Sequence, residues 1–306
     1  MSTTTYHTSV LLNECIEGLA INPQGIYVDV TFGGGGHSKE ILKHLGPEGR
    51  LIAFDQDPDA WKEAEKIDDP RLTLITANFR HLDKYLRLEG IKKVDGILAD
   101  FGVSSHQFDT SERGFSIRTE GQLDMRMNQE DVVSAHSLVN TYDEEALKRV
   151  FWQYGELRTS PALAKTIVAA RAEKAIETTF ELKAVLRKYL PQGRENKILA
   201  QIYQAIRIEV NQEIEVLKEF LLQMPELLND GGRLSVISYH SLEDRLVKRF
   251  IRNGLFEGEP EKDVFGNFDV PLKKVGGLIV PDAKEIKLNN RARSAKLRIA
   301  EKLNSD

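Results

Sequence analysis

Four consecutive glycines, Gly33–Gly36, constrain the fold of this 306-residue chain more than any other feature. They follow a short β-rich run, Gly25–Val30, and precede Ser38–Leu45, a segment typical of a helix ended by Gly46. Glycine has no Cβ, so the backbone at such a turn can approach a ligand closely. Ligands in open α/β sheets bind at the carboxyl ends of strands. The run therefore predicts a ligand site where the first strand ends.

The next segments alternate between strand and helix patterns. Apolar runs at Arg50–Phe54, Leu72–Ile75 and Val94–Ala99 predict three further strands. Helical patterns that begin at Asp57-Pro58 and at His81 separate these runs. Strands and helices that alternate at this spacing predict an α/β fold with a largely parallel sheet and right-handed crossovers.

The alternation stops at Gly102. The segment Gly102–Glu130 has no clear period, and a loop of this length is unusual in a compact domain unless it serves a site. From Tyr142 to Leu228 the pattern is helical. This helical part contains two patterns typical of capping boxes, Thr141-x-x-Glu144 and Thr178-x-x-Glu181.

Strand patterns return near the C-terminus, at Arg233–Ser238 and Ser294–Ala300. We therefore expect a discontinuous α/β domain formed by residues 1–111 and 209–306. Residues 112–208 are then an inserted helical domain, which we expect to recognise the substrate.

Composition limits the function classes. The formal net charge is −5, whereas a protein that binds nucleic acid nonspecifically is usually basic, so such a role must rest on local basic clusters and on shape. The single cysteine, Cys15, excludes an intramolecular disulfide and a cysteine-rich zinc site, and we predict no metal site. No run approaches the ~18 apolar residues of a membrane helix, and Met1–Tyr6 lacks a signal-peptide pattern, so we expect a cytoplasmic protein.

The spacing of the glycines tells against a dinucleotide site. A dinucleotide fingerprint requires G-x-G-x-x-G, but Ser38 or Lys39 occupies the third glycine position in the two possible registers. The pattern acid-x-small-x-Gly-x-Gly fits instead, with Asp29, Thr31 and then Gly33 and Gly35. This loop is typical of methyltransferases that use S-adenosylmethionine, which has no pyrophosphate.

Three later strand ends carry side chains suited to the same cofactor. Asp55 ends the second strand, where a carboxylate can accept both ribose hydroxyls, and Asp57 is better placed than Asp55 to cap the next helix. Phe79 follows the third strand and could stack on adenine, although it could also be an ordinary core residue. Asp100 ends the fourth strand.

With these features in place, the chain resembles the family of ribosomal RNA small subunit methyltransferase H, bacterial enzymes that methylate N4 of a cytidine in the decoding region of 16S rRNA. The resemblance runs nearly end to end. It is carried by His7–Leu12, Thr31–Gly33, Gly35–Ser38, Asp95–Leu98, Gly102–Ser105, Glu112–Ser116, Leu123–Met127, His240–Arg245 and Arg291–Ser294.

The resemblance implies a class I (Rossmann-like) S-adenosylmethionine-dependent methyltransferase domain with a helical insertion. The cofactor contacts that it implies fall on Gly35, Gly36, His37, Asp55, Phe79, Asp100 and Gln107. This chain departs from the usual family pattern at Gly34, His106, Tyr239 and Asn290. Tyr239 stands where phenylalanine is usual, and His106 replaces a frequent proline beside Gln107.

The substrate implied by the resemblance is 16S rRNA, and the acidic composition favours an assembled or assembling small subunit. Candidate substrate residues are Arg113, Phe115, Arg126, His240, Arg291 and Arg293. Two basic segments, Lys248–Arg252 and Arg291–Arg298, could meet phosphates. The alternatives are a solvated face for these segments, an exposed or structurally paired side chain for each arginine, and a hydrogen-bonded structural role for His240.

Two questions about function stay open at this stage. Asp100 could accept a hydrogen bond from the target amine, or it could bind only the methionine end of the cofactor. The chain could also methylate DNA or a small molecule, but DNA amino-methyltransferases often carry Asn/Asp-Pro-Pro-aromatic where this chain has Asp100–Val103. A binding module without catalysis is a third reading, against which the intact Asp55, Asp100 and glycine loop argue.

Overall fold

The computed structural model describes residues 9–263, 265 and 268–304. Within these residues, seven strands form one sheet in the order β3-β2-β1-β4-β5-β7-β6. The first five strands run parallel, and β7 is antiparallel to both β5 and β6. The predicted α/β class with a largely parallel sheet is confirmed. The strands are β1 Ile26–Asp29, β2 Arg50–Phe54, β3 Leu72–Ile75, β4 Val94–Asp100, β5 Leu228–Ser238, β6 Leu272–Ile279 and β7 Lys296–Lys302.

Helices occupy both the segments between strands and the inserted part. They are α1 Leu12–Leu19, α2 Gly36–His44, α3 Pro58–Ala64, α4 Leu82–Leu88, α5 Ser105–Asp109, α6 Ala135–Thr141, α7 Glu144–Gln153, α8 Ser160–Glu173, α9 Thr179–Val185, α10 Glu195–Asn211, α11 Glu213–Leu227, α12 Ser241–Asn253 and α13 Ala283–Leu288. None of the helices in the described residues is long and apolar enough to cross a membrane.

The sheet is covered by apolar side chains on both faces. Along β4, Ile97 and Ala99 lie in a buried cluster with Phe220 of α11. The alternate residue Leu98 lies in a second buried cluster with Cys15 of α1 and with α2. Strands buried on both faces are the rule for parallel sheets, because their crossover helices cover both sides. The carboxyl ends of the strands are therefore the exposed edge at which polar side chains can meet.

The chain divides into two compact units. One contains residues up to Gly102 and from Glu215 onward, and the other is Val103–Ile214. The second unit therefore begins earlier and ends later than the insert expected at 112–208. Its greater length includes α5 and the C-terminal turn of α10, whose Asn211 is bonded to the preceding loop.

The aperiodic segment of the second unit is fastened to helices of the same unit. The Asn211 amide donates to the Met125 carbonyl at 2.8 Å and accepts from the Met127 N–H at 2.7 Å. The Gly121 N–H donates to the Thr179 hydroxyl at 3.0 Å, and the Thr179 N–H donates back to the Gly121 carbonyl at 2.9 Å. The segment is thus ordered by contacts distant in sequence rather than by its own periodicity.

Strand β6 was not predicted from the sequence. It contains Gly276 and Gly277, which weaken strand propensity, and most of its side chains are exposed. It pairs only with β7 among the described strands, at the edge of the sheet. An edge strand with little buried surface carries no strong hydrophobic alternation, so the sequence offers little to detect.

One of the two predicted capping boxes is wrong. The side chain of Asp143 accepts from the Ala146 N–H at 2.7 Å and caps α7. The Thr141 hydroxyl instead donates to the Ser137 carbonyl at 2.6 Å, so Thr141 ends the preceding helix. A carboxylate placed directly before the helix competes successfully with a threonine two residues earlier. The predicted box between Thr178 and Glu181 is present.

Gly114 provides a test of how tightly the loop of the second unit is packed. Its φ is +72°, and a Cβ there would lie 2.1 Å from the Gln122 carbonyl oxygen, a backbone atom that cannot turn aside. We expect Gly114→Ala to lower the free energy of unfolding by about 3 kcal/mol or more, because a steric clash adds to the cost of positive φ. Gly193, at φ +78° with open space around it, is the control, and Gly193→Ala should cost about 1 kcal/mol. Urea unfolding followed by circular dichroism measures both, and equal losses would contradict the expectation.

Candidate cofactor site

The last residue of β1 organises the loop that follows it. The buried carboxylate of Asp29 accepts from the Ser38 hydroxyl at 2.7 Å and from the Thr31 N–H at 3.1 Å. Burial raises the pKa of Asp29, and these bonds together with His37 oppose the rise. Asp29 therefore links β1 to the first turn of α2 by hydrogen bonds to residues on both sides of the glycine loop.

The glycine loop turns sharply where β1 meets α2. Gly33 and Gly35 have φ of +52° and +73°, a region that favours glycine. A Cβ on Gly35 would lie 2.7 Å from the Phe32 ring, whereas a Cβ on Gly34 would meet nothing within 4 Å. The loop is thus packed against the Phe32 ring at Gly35 and has open space beside Gly34. This open space leaves room for a ligand next to the backbone.

Asp55 extends from the carboxyl end of β2 towards the same loop. One carboxylate oxygen accepts from the Gly33 N–H at 2.8 Å, and the other accepts from the Asp57 N–H at 2.9 Å. Burial raises the pKa of Asp55 to about 6. A carboxylate offers about four lone-pair positions, so acceptor capacity is left for the two hydroxyls of a ribose.

Asp100, at the carboxyl end of β4, lies between three neighbours. Its N–H donates to the Thr31 hydroxyl at 2.7 Å, and its Oδ1 accepts from the Tyr239 hydroxyl at 2.8 Å. Its Oδ2 lies 3.8 Å from Nδ1 of His37. Burial raises the pKa of Asp100 to about 6, although His37 and Tyr239 oppose the rise. The side chain keeps 22% of its surface exposed and can still reach a ligand.

His37, in the first turn of α2, has a defined orientation. Its Nε2 lies 3.0 Å from the Val10 carbonyl oxygen. Because a carbonyl only accepts hydrogen bonds, Nε2 carries the hydrogen and Nδ1 faces Asp100. Gly36, beside His37, has the Ser9 hydroxyl against it: a Cβ there would lie 2.0 Å from that oxygen. Residues 9 and 10 thus close one side of the loop.

Phe79 begins a 3₁₀ turn, Phe79–His81, after β3. Its ring packs on Phe101 and Phe220 with centroids 5.8 and 5.4 Å apart, yet the residue is only half-buried. Asn78, which caps this turn, donates to the side chain of Gln56 at 3.0 Å. The ring is therefore fixed by the core on one side and has surface left for a base on the other.

Two residues that were not among the predicted cofactor contacts also belong to this part of the chain. Tyr239 bonds Asp100, and the Glu243 carboxylate accepts from the Tyr239 N–H at 2.9 Å. The signal for Tyr239 was its departure from the usual phenylalanine. The signal for Glu243 was the His240-x-x-Glu243 spacing, which in the structure forms a capping box at the start of α12.

Gln107 lies in the other compact unit. Its side-chain oxygen accepts from the Ser104 N–H at 3.0 Å, and the Ser104 hydroxyl accepts from the Gln107 N–H at 3.2 Å. This capping box begins α5, one residue after Ser104, so His106 is accommodated within a helix. The cofactor contact implied for Gln107 stays a prediction.

The candidate substrate residues of the second unit serve its own packing in this structure. Arg113 is buried, and its guanidinium donates to the carbonyls of Arg126 and Met127. Phe115 is buried in the core of the unit. The Arg126 guanidinium forms a two-bond pair with Asp124. These contacts match the structural pairing that was the alternative for Arg113 and Arg126, and contact of all three residues with RNA stays a prediction.

The candidate substrate residues of the first unit are divided between packing and exposure. His240 is nearly buried and caps α12 with Glu243. Lys296 and Arg298 both pair with Asp244, at 3.2 and 2.7 Å. Arg291 is half-exposed and Arg293 is exposed in the turn Asn290–Ser294, while Lys248 and Arg252 are exposed on α12. Exposed guanidinium groups are the ones able to reach phosphates.

The chain is similar to known proteins over nearly its whole length. A protein of Christiangramia forsetii described as ribosomal RNA small subunit methyltransferase H is 66% identical over 298 residues, covering 97% of this chain and 98% of the relative. A protein of Flavobacterium johnsoniae with the same description is 66% identical over 302 residues, covering 99% of both chains. One of Bacteroides fragilis is 54% identical over 300 residues, covering 98% of both.

A family model described as the MraW methylase family matches residues 4–303, almost the whole chain. The glycine loop and the carboxylates at the ends of β2 and β4 fit the family's cofactor, S-adenosylmethionine, which offers a ribose diol and a charged methionine end. The chain therefore belongs to the MraW methylase family of S-adenosylmethionine-dependent methyltransferases.

Proposed function

We propose that this methyltransferase transfers the methyl group of S-adenosylmethionine to N4 of a cytidine in the decoding region of 16S rRNA. The observation that carries the proposal is the identity of 66% with proteins described as ribosomal RNA small subunit methyltransferase H, over nearly the whole of each chain. The carboxylates of Asp55 and Asp100, placed with the glycine loop at the carboxyl edge of one sheet, support it by their fit to the cofactor.

The proposed cofactor contacts divide according to chemistry. Asp55 accepts the ribose hydroxyls, and the exposed side of Phe79 stacks on adenine. Gly35 and Gly36 bring backbone close to the cofactor, and His37 and Asp100 bind its methionine end. The resemblance also implies a cofactor contact by the side chain of Gln107. When bound, S-adenosylmethionine supplies a methyl group activated by its attachment to a sulfonium sulfur.

The amine to be methylated needs positioning more than it needs a strong base. The N4 lone pair of cytosine is delocalised into the ring, so holding the amine in line with the methyl carbon contributes much of the rate. The methylated nitrogen would then lose a proton readily, so the site would need no strong base. A second role for Asp100, as the acceptor of an N4 hydrogen, is favoured by its exposed surface and requires hydrogen-bond distance in the substrate complex.

The base must leave its stack to reach the methyl group, and single-stranded or splayed bases are the usual targets of such enzymes. The exposed Arg293 and half-exposed Arg291 are the proposed phosphate contacts, together with Lys248 and Arg252 of α12. We also propose that the helical insert recognises an assembled or assembling small subunit, which the net charge of −5 favours over naked RNA. The reaction then takes place in the cytoplasm.

Identification of the methylated nucleoside tests the proposed function. Subunits and protein-free 16S rRNA from cells that lack the modification are incubated with the protein and tritiated cofactor, and the RNA is then digested to nucleosides. We expect label in N4-methylcytidine and faster transfer to subunits. Label in another nucleoside, or transfer only to DNA or to a small molecule, would contradict the substrate. Equal rates on subunits and free rRNA would contradict the assembled substrate.

Replacement of one carboxylate oxygen tests the ribose contact. We expect Asp55→Asn to weaken cofactor binding about tenfold or more, because an amide places a donor where an acceptor of two hydroxyls is required. Asp57→Asn is the matched control, since asparagine caps a helix about as well as aspartate and should leave affinity unchanged. Titration calorimetry with S-adenosylmethionine alone measures both variants. Equal affinity in both would remove Asp55 from the site.

Charge reversal tests the phosphate contact. We expect Arg293→Glu to slow methylation of the subunit and to reduce the slope of log activity against log salt by about one, because one phosphate contact is lost. Lys92→Glu is the control: Lys92 is also exposed, but it precedes β4 and so lies at the opposite edge of the sheet. The same rate and salt slope in both variants would show that Arg293 belongs to a merely solvated face.

A further inference from the structure

Tyr239 follows β5 directly and is fixed from several sides within the first unit. Its backbone N–H donates to the Glu243 carboxylate at 2.9 Å. Its ring packs against the buried cluster that contains Cys15 and Leu98. Gly102, at φ +120°, leaves room for the ring, because a Cβ there would lie 3.2 Å from a ring carbon. The position of the hydroxyl is therefore set by the fold and not by the ligand.

The hydroxyl is directed at one oxygen of Asp100. It donates to Oδ1 at 2.8 Å, while Oδ2 lies on the side of His37, 3.8 Å from Nδ1. A carboxylate held at Oδ1 cannot rotate freely about its Cβ–Cγ bond without losing that hydrogen bond. Oδ2 is then the oxygen that remains to receive a positively charged or donating group.

The surroundings of Asp100 make this single donor significant. The charged or titratable groups that face it are His37 of α2, Asp29 of β1, Glu243 of α12, Cys15 of α1 and Tyr239 itself. Burial raises the pKa of Asp100 most, and Asp29 and Glu243 raise it further, whereas His37 and Tyr239 lower it. The tyrosine hydroxyl is thus one of only two named neighbours that favour the ionised carboxylate.

We propose that Tyr239 is a positioning residue whose hydroxyl holds Oδ1 of Asp100 and so directs Oδ2 towards the cofactor. Phenylalanine at this position would supply the ring without the hydroxyl. The tyrosine therefore extends the range of acidity over which Asp100 binds a ligand and is not needed to assemble the site. The inference rests on the proposed contact between Asp100 and the cofactor.

The test measures cofactor affinity as a function of pH, without RNA. The variants are Tyr239→Phe, Asp100→Asn and the control Tyr203→Phe, whose buried hydroxyl donates to the Thr179 carbonyl at 2.7 Å in the other unit. Calorimetry with S-adenosylmethionine between about pH 5 and 8.5 gives each acid midpoint. Asp100→Asn identifies the part of the pH dependence that belongs to Asp100, since Asp55 also titrates near pH 6.

We expect Tyr239→Phe to bind within about twofold of the unchanged protein at pH 8 and about two- to fivefold more weakly near pH 6, because loss of the donor moves the acid midpoint up by about half to one unit. In the Asp100→Asn background, Tyr239→Phe should add no shift. Tyr203→Phe should leave the midpoint unchanged.

Three results would overturn the inference. An unshifted midpoint in Tyr239→Phe, or a loss of affinity equal at every pH, would reduce the hydroxyl to a structural role. A shift that persists in Asp100→Asn would assign the effect to another group. If Asp100→Asn binds the cofactor like the unchanged protein, the proposed contact of Asp100 fails together with the inference. If the proposed rRNA substrate is wrong, the nucleoside assay will show it, whereas these binding measurements, made without RNA, will not change.

Discussion

The buried carboxylate of Asp29 is the interaction on which the ligand-facing edge of the sheet depends. It holds the Ser38 hydroxyl at 2.7 Å and the Thr31 N–H at 3.1 Å, and the Thr31 hydroxyl in turn accepts from the Asp100 N–H at 2.7 Å. A buried carboxylate without such donors would cost several kcal/mol. The bonds therefore couple the end of β1, the start of α2 and the end of β4 into one hydrogen-bonded arrangement.

Features that depend on local pattern could be predicted from the sequence, and features that depend on distant partners could not. The strand ends next to Asp55 and Asp100 followed from apolar runs that stop at an acid, and the sheet indeed brings these ends to one edge. Nothing near Arg113 in the sequence shows that its guanidinium serves carbonyls of its own loop. Likewise, Asn211 orders a loop more than eighty residues away, which no local period records.

The site concentrates negative charge that the folded chain only partly neutralises. Because the pKa values of Asp55 and Asp100 are raised to about 6, each carboxylate binds a proton more tightly in the folded chain than in the unfolded chain. Their effect on the stability of the ligand-free protein is therefore favourable at low pH and is lost as the pH rises from the ordinary carboxyl range through about 6. A ligand with a positive end would favour the ionised form of both carboxylates and so offset part of the cost of ionising them.

The position of β5 in the sequence has a consequence for synthesis on the ribosome. β4 ends at Asp100 and its neighbour β5 begins only at Leu228, after the whole second unit. At about 5–20 residues per second, a nascent chain leaves one side of β4 without its partner for on the order of ten seconds. During that interval an apolar strand has an open edge, the condition under which sheets pair with foreign strands. Until the second unit has been synthesised, β4 therefore lacks one of the two strands with which it pairs in the folded sheet.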